Sequence, residues 1–176
     1  IGGGFYRYAT RPDWSHPHFE KLAADQGALL LAIAEVALSD EDAMDRLREP
    51  VGQTVAYIRA TFSNSLGGIT NAQDADEDYA ALPDILARSL VPAPIVDQRV
   101  FAASCAIAAR GLIACGVAFD RHDWTERGLR AVDFLGTHMR AGEAGMYHQW
   151  EGGAGGLGVL ADQAHAMLAF LHAYEV

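Results

Sequence analysis

Apolar residues recur along the chain at intervals of three and four residues, the spacing that places them on one face of an α-helix. This pattern predicts a first helix over about residues 19–38. Ser39, which three acidic residues follow, is predicted to cap a second helix that continues to Phe62. Pro50 either kinks this helix or begins its main part. Together the two helices predict an antiparallel hairpin over about residues 19–62.

Two loops and three further helices are predicted beyond this hairpin. A polar stretch with prolines and four central acidic residues indicates a loop over residues 63–97. A second hairpin is predicted over about residues 98–140, and its first helix is apolar or small on nearly every face, which is typical of a helix buried on most sides. Asp123 and Glu126 have the spacing of a capping box for its second helix.

The remaining segments and a weak internal repeat complete the prediction of an all-α fold. A glycine-rich loop is predicted over residues 142–156 and a last helix over residues 157–175. No segment alternates apolar and polar residues for long enough to indicate a sheet. Gly-Phe-Tyr, Gly-Ile-Thr and Gly-Met-Tyr recur at residues 4–6, 68–70 and 145–147. Because one helical hairpin cannot bury its apolar face by itself, the five predicted helices are expected to stack or to close into a ring.

Length and composition indicate one domain. Of the 176 residues, 51% are apolar and 20% charged, which is enough apolar material for a core. Residues 1–176 are therefore predicted to form a single, incomplete domain with unpaired apolar faces at its ends. Thirteen basic and 23 acidic residues give a net charge of −10 without a basic cluster, which argues against a nucleic-acid partner. The longest apolar run, residues 27–36, is too short for a membrane span, so no membrane partner is expected.

The first residue and the two cysteines indicate the cellular compartment in which we expect the protein. Because the chain begins with Ile1 and shows no leader peptide, it is expected to start inside a longer polypeptide or after processing. Cys105 and Cys115 lie ten residues apart in an apolar helix, a spacing that fits neither a CxxC redox pair nor a zinc clip. We expect two buried thiols in a reduced cytoplasm, with no cofactor and no metal ion.

The densest group of reactive side chains lies at residues 11–21, before the first helix. His18 can act as an acid or base near neutral pH, and the carboxylate of Glu20 can orient it. Alternatively, both residues only cap and anchor the helix. In the acidic stretch 73–78, Asp74 is the best candidate for an acid that faces a cavity. A solvated loop is the alternative for this stretch, and a calcium loop is disfavoured because the EF-hand glycine and closing glutamate are missing.

A third candidate group, Tyr-His-Gln-Trp at residues 147–150, combines aromatic rings with an imidazole. Rings stack on the C–H faces of sugars while hydroxyl groups need polar partners, so this group favours a polyhydroxylated ligand. The glycines that follow do not match a nucleotide-binding fingerprint. In the last helix, Asp162 and His165 share a face; they could hold a metal ion, but a hydrogen bond on the helix surface is the more common arrangement.

Several segments in this order form a recognisable set. They are GGFYRY at 3–8, Trp14, PHFEK at 17–21, QDAD at 73–76, VD at 96–97, LADQA at 160–164 and AYE at 173–175. The set resembles the YyaL-type family, which includes the spermatogenesis-associated thioredoxin-like protein and in which a thioredoxin-like domain precedes a six-hairpin α/α barrel. The resemblance concerns the barrel part only, and it implies a toroid related to those of sugar 2-epimerases and several glycoside hydrolases.

The resemblance also implies which positions line the cavity of the barrel. They are His18, Glu20, Asp25, Asp74, Asp76, Asp97, Tyr147, His148 and Asp162. The sequence departs from the family at Leu22 and Ala24, where Met and Tyr are usual, and at Ser104 and Cys105, where a Trp-Asn pair is usual. No thioredoxin-like domain lies in these residues, so no redox activity is assigned to them.

Two classes of function follow from these residues. The first is a carbohydrate-active enzyme, similar to a sugar isomerase or epimerase or to a glycosidase. Its catalytic candidates are His18, Glu20, Asp74, His148 and Asp162, and its substrate-binding candidates are Trp14, Asp25, Asp76, Asp97, Tyr147 and Trp150. The alternative is a noncatalytic binding or scaffolding module that accompanies a thioredoxin-like domain. Expected partners are a small sugar-like molecule and either the rest of the same polypeptide or a second copy. Convergence of both histidines with Asp74 and Asp162 on one cavity would favour the enzyme.

Overall fold

The computed structural model describes residues 2–176, so Ile1, which the predicted domain includes, lies outside the described residues. In chain order the elements are β1 (Glu20–Leu22), α1 (Ala23–Ser39), α2 (Glu41–Thr61), β2 (Ala72–Asp74), α3 (Glu77–Ala80), α4 (Ile85–Ser89), β3 (Val96–Asp97), β4 (Val100–Phe101), α5 (Ala102–Ala118), α6 (His122–His138), β5 (Gln149–Trp150), β6 (Ala154–Gly155) and α7 (Leu160–Tyr174). Within the described part of the chain, five of these helices are long and correspond to the five predicted ones. The predicted all-α class is confirmed, and the strands are a minor addition.

Helix α1 begins at Ala23 rather than at residue 19, because the residues before it form strand β1. β1 pairs antiparallel with β2 and matches Glu20 with Asp74. Six short strands form two three-stranded sheets, in the orders β1-β2-β3 and β4-β5-β6, so the expectation that no strands form was wrong. Strands of two or three residues are too short to show the alternation by which a strand is recognised in a sequence.

Two helix starts differ from the predicted ones. Asp40, not Ser39, caps α2, because the Asp40 side chain accepts a hydrogen bond from the backbone N–H of Ala43 at 3.1 Å. Asp123 lies inside α6 and does not cap it; its carboxylate instead accepts a hydrogen bond from Arg121 at 2.9 Å. The predicted capping box at this helix was therefore wrong.

The predicted loops contain short elements. Strand β2 and helices α3 and α4 lie within residues 63–97, and β5 and β6 lie within residues 142–156. The last helix begins at Leu160 instead of residue 157, because Gly158 has a φ of +87°, which a right-handed helix cannot adopt. Pro50 lies inside α2, which runs from residue 41 to 61 as one helix.

Helix α5 lies at the centre of the core, packed against α1, α6 and α7. As predicted for its apolar surface, 11 of its 17 residues are buried, and both thiols are buried. Gly27 of α1 approaches α5 so closely that a Cβ atom there would lie 2.4 Å from the Cα of Ala108. Further along, the Cys115 thiol lies 3.1 Å from the carbonyl of Leu30. The two contacts rise together in residue number, so α1 and α5 are parallel.

The internal repeat of the sequence has a counterpart in the structure. The side chain of Gln26, the fourth residue of α1, bonds both the N–H and the carbonyl of Phe5, at 2.6 and 2.8 Å. Gln163, the fourth residue of α7, bonds the same two groups of Met146 at 2.8 and 3.0 Å. Cys105 holds this fourth position in α5. Helices α1, α5 and α7, which we call the inner helices, therefore have equivalent N-terminal ends.

Helix α7 presents apolar side chains on its surface. Met167, Leu171 and Tyr174 are all more than half exposed, so the expected unpaired apolar face is present on this helix. Among the helices of residues 2–176, none combines the length and the apolar character that crossing a membrane requires.

Candidate functional site

The sequence-predicted site residues gather at the N-terminal ends of the inner helices, where the two small sheets lie. Strand β1 leads directly into α1, and β4 leads directly into α5. Helix α7 begins at the same end, because the carboxylate of Asp162, its third residue, accepts a hydrogen bond from the backbone N–H of Ala103, the second residue of α5. Side chains from separate parts of the sequence are thereby brought to one end of the fold.

The best-defined pair at this end is His148 with Asp162. The Nδ1 atom of His148 lies 2.8 Å from an oxygen of the Asp162 carboxylate, which is only 1% exposed. The second Asp162 oxygen accepts the Ala103 N–H at 3.1 Å. The backbone of His148 is also fixed, because its N–H donates to Gly156 and its carbonyl accepts from Ala102. The imidazole is thus held in one orientation.

The exposed side of His148 determines what this pair can do. Its side chain is 39% exposed, and its ring lies 5.1 Å from the ring of Phe101. With Nδ1 occupied by the carboxylate, the Nε2 atom is available to exchange a proton with a bound molecule. A buried carboxylate that fixes an imidazole and balances its charge after protonation is the arrangement of a general acid–base pair.

The predicted Asp162–His165 interaction was wrong. The Asp162 carboxylate is committed to His148 and Ala103, and the Nδ1 atom of His165 is buried without a hydrogen-bond partner in the described residues. Within residues 2–176, no three histidine, cysteine, aspartate or glutamate side chains are grouped so that they could hold a metal ion.

The second group of candidates lies on strand β1 and the segment before it. Glu20 pairs with Arg7 at 2.8 Å, and the Nε2 atom of His18 is 3.8 Å from the same carboxylate oxygen, which is too long for a hydrogen bond. The His18 ring instead stacks on Tyr8, with ring centres 4.8 Å apart. Glu20 is therefore oriented by an arginine, and an aromatic ring orients His18.

A cavity of about 690 Å³ lies between this segment and residues 74–81. His18 and Phe19 line one side of it, and Asp74 and Asp76 line the other. Asp76 also caps α3, since its side chain accepts the N–H of Tyr79 at 2.7 Å. The cavity therefore combines an imidazole, carboxylates and an aromatic ring.

Asp25 and Asp97, two further candidates, have opposite electrostatic environments. Burial raises the pKa of Asp25; the charge of Arg7 opposes that shift and Glu20 adds to it. Hydrogen bonds from Arg99 hold the pKa of Asp97 at about 2, with a further bond from Asn71. Asp97 is therefore committed to structural partners.

The three aromatic candidates have different surroundings. Trp14 is 79% exposed, with a positive φ of 62°. Trp150 packs edge-on against Phe134 at 5.4 Å and so contributes to the core. Tyr147 is half-buried, and its backbone N–H donates to the Met139 carbonyl. Of these three, Trp14 is the most exposed, and Tyr147 and Trp150 are both half-buried.

The structure thus brings the candidates together as two pairs. His18 and Asp74 line one cavity, and His148 is bonded to Asp162. The second pair does not line the cavity of the first, so the four residues do not converge on one cavity as the enzyme prediction expected. Sequence reasoning missed Arg7 as the partner of Glu20. The repeat gave no signal for this pair, because Arg7 stands two residues after Phe5 as His148 stands two after Met146, and the counterpart of Asp162 is Asp25, not Glu20.

Comparisons with known proteins agree with this architecture. No family model matches the chain. Spermatogenesis-associated protein 20 of Homo sapiens is 35% identical over 77 residues, which is 43% of this chain and 9% of that protein. An uncharacterised protein of Caenorhabditis elegans is 34% identical over 76 residues, which is 43% of this chain and 10% of that protein. The matched part of the chain spans about a tenth of the length of these curated relatives.

Two solved structures share the fold. A cellobiose 2-epimerase from Spirochaeta thermophila superposes with a TM-score of 0.71 and 14% identity, covering 98% of this chain and 42% of the epimerase. A sugar epimerase from a ruminal bacterium gives 0.70 and 14%, covering 98% and 43%. The chain therefore spans less than half of either enzyme, and at this identity the likeness shows the fold. The similarity to spermatogenesis-associated protein 20, together with the shared fold, confirms the resemblance to the barrel part of YyaL-type proteins.

Proposed function

We propose that the chain is part of a carbohydrate-active α/α barrel in which His148 transfers a proton to or from a bound sugar, as in a sugar isomerase or epimerase. The hydrogen bond between His148 and the buried Asp162 carboxylate carries this proposal. The similarity in fold to two sugar epimerases supports the substrate class. Because the chain spans less than half of each, the activity of a whole barrel remains a proposal.

The pair has the chemistry that isomerisation needs. Moving a proton at a sugar carbon requires a base that can return the proton, and an imidazole does both near neutral pH. Asp162 fixes the imidazole through Nδ1 and balances the positive charge that forms when Nε2 takes a proton. A positioned acid–base group of this kind contributes roughly 10²- to 10⁴-fold to a rate.

The cavity lined by His18 and Asp74 suits a sugar ring. Its volume of about 690 Å³ lies within the range of small-molecule sites, roughly 300–1,000 Å³. Asp74 and Asp76 supply acceptors for sugar hydroxyl groups, and Phe19 supplies a ring against which C–H groups can pack. His148 does not line this cavity, so the proposal requires one ligand to reach both the cavity and the imidazole.

A glycosidase-like reaction is the second candidate. Such enzymes use two carboxyl groups on either side of one sugar bond. Glu20 and Asp74 lie directly opposite each other across β1 and β2, so their carboxyl groups start from neighbouring positions. The pairing of Glu20 with Arg7 ranks this candidate below the isomerase. Release of reducing sugar from a disaccharide would distinguish it.

The test is thermal denaturation with a panel of mono- and disaccharides that includes cellobiose. A sugar at about 100 times its dissociation constant should stabilise the chain by roughly 2.7 kcal/mol. We expect a shift with at least one sugar that is lost in His148→Ala and kept in His122→Ala, which changes a largely exposed histidine on α6. Absence of a shift with every sugar, in a chain that melts cooperatively, would contradict the proposal.

The other expectations remain predictions. A sugar that binds without turnover would favour the noncatalytic binding module. Covering of the apolar face of α7 by other chain or by a second copy, and a cytoplasmic location, also remain predictions.

A further inference from the structure

A second, smaller and partly enclosed cavity lies behind strand β1 and shares Phe19 with the cavity described above. Neighbouring residues of a strand point to opposite faces, so Lys21 lies on the other face from Glu20. The cavity has a volume of about 80 Å³, and Lys21, Gln73 and Arg88 are its main polar lining residues. Phe19 and Tyr79 are among the rings in its wall. Lys21 is the only lysine in the sequence.

The ammonium group of Lys21 has aromatic surroundings. Its Nζ atom lies 4.4 Å from the ring centre of Tyr57 and 4.7 Å from that of Tyr6, and it donates a hydrogen bond to the carbonyl of Gly3. No aspartate or glutamate within residues 2–176 forms an ion pair with it. Burial, together with the charge of Arg88, lowers the pKa of Lys21 to about 8.

Arg88 lines the same cavity, and one of its hydrogen-bond donors has no partner in the described residues. One of its terminal nitrogens donates to the carbonyls of Ala80 and Leu82, both at 3.3 Å. Its Nε atom is buried and has no hydrogen-bond partner in the described residues. Arg88 also makes no ion pair with a carboxylate of this part of the chain.

This arrangement is unusual for a chain with ten more acidic than basic residues. Enclosed cations are ordinarily paired with an acid, because an uncompensated charge away from water is costly. Here two cationic side chains share one cavity, and a donor of one of them is unused. An anion in the cavity would compensate both charges.

We propose that this cavity binds a small carboxylate, with the guanidinium group of Arg88 and the ammonium group of Lys21 supplying the two positive charges. The cavity has room for only a few atoms beyond the carboxylate. Its aromatic walls suit a short apolar tail, which favours a carboxylate of two or three carbons over phosphate. This site does not depend on the proposed sugar chemistry, because neither Lys21 nor Arg88 lines the cavity proposed for the sugar.

The single lysine makes the test direct. With ¹³C-labelled lysine, the chain has one Cε resonance. Acetate, propionate and phosphate are titrated against chloride at equal ionic strength. We expect a saturable change of this resonance with the carboxylates and a rise in its titration midpoint, because a bound anion favours the charged amine. Arg88→Gln should lose the response, and Arg46→Gln, at an exposed position on α2, should keep it.

Three results would contradict the proposed carboxylate site. An equal response to chloride, no response to either carboxylate, or a stronger response to phosphate would overturn the proposal. A full response in Arg88→Gln would overturn the role of Arg88. Should that variant not fold, the unaltered chain decides: its melting temperature must rise with acetate and not with the same concentration of chloride.

Discussion

The β1-β2-β3 and β4-β5-β6 sheets follow one backbone plan and carry different chemistry. In each, the first strand leads into an inner helix, and the second strand comes shortly after a Gly-apolar turn. The first sheet carries ion pairs that are partly exposed, Arg7–Glu20 and Asp97–Arg99. His148 lies directly before the second strand of the other sheet, and it is paired with the buried carboxylate of Asp162.

The third residues of the inner helices, which are equivalent positions, show where the difference between the two sheets arises. The third residue is Asp25 in α1, Ser104 in α5 and Asp162 in α7. Near Asp25 the repeat supplies an arginine, which cannot act as a base at neutral pH; near Asp162 it supplies a histidine, which can. The backbone plan fixes where a polar pair forms, and the side chains decide whether that pair is structural or reactive.

The largest expected change in the free energy of unfolding comes from the close contact between α1 and α5 at Gly27. In Gly27→Ala, the new methyl group would meet three backbone atoms of α5 at 2.4–2.6 Å, so we expect a loss of about 3 kcal/mol in the free energy of unfolding. Urea denaturation measures it. The control is Gly52→Ala in α2, where the nearest atom is 3.9 Å away and the higher helix propensity of alanine should stabilise the chain slightly. Equal stability of the two variants would contradict the close alignment of α1 and α5.

A smaller effect should separate the two equivalent aspartates. Asp162→Ala leaves the Nδ1 atom of His148 and the N–H of Ala103 without their acceptor, so we expect a loss of about 2 kcal/mol. Asp25→Ala should change the free energy of unfolding by less than about 0.5 kcal/mol, because its pKa is raised and its charge is not favourably held. If Asp162→Ala and Asp25→Ala reduced the free energy of unfolding by similar amounts, the two aspartates would not differ as described.

The smallest effect is a difference in pH dependence between Asp25 and Asp97. The pKa of Asp97 is about 2, below its unfolded value, so its stabilising contribution is complete above about pH 4 and is lost as the pH falls towards 2. The pKa of Asp25 is raised, so its contribution is present at low pH and is lost as the pH rises past its unfolded value of about 4.

Denaturation of Asp97→Asn and Asp25→Asn across this pH range tests the two signs. At neutral pH, Asp97→Asn should destabilise by less than about 1 kcal/mol, since the ion pair is partly exposed, and Asp25→Asn should be neutral or slightly stabilising. Effects of the same sign at neutral pH would show that the two environments do not differ as described.

The helices were predictable because their apolar period extends over four or five turns, and the buried character of α5 followed from its composition. The site was only partly predictable. Asp162 and His148 could each be named, but their pairing spans 14 residues and depends on the turn that precedes α7. Local spacing favoured His165 instead, and that interpretation failed because the carboxylate turns towards α5. The pairing of Arg7 with Glu20 depends in the same way on contacts that span 13 residues.

The most direct test of the central claim is proton exchange at the sugar. The chain is incubated in D₂O with cellobiose and with any sugar that stabilises it, and the signal of the proton on carbon 2 is followed by NMR. We predict that this signal fades with the unaltered chain and with His122→Ala, and that it persists with His148→Ala and Asp162→Ala. Persistence of the signal with the unaltered chain, for a sugar shown to bind, would contradict the assignment of His148 as the acid–base group.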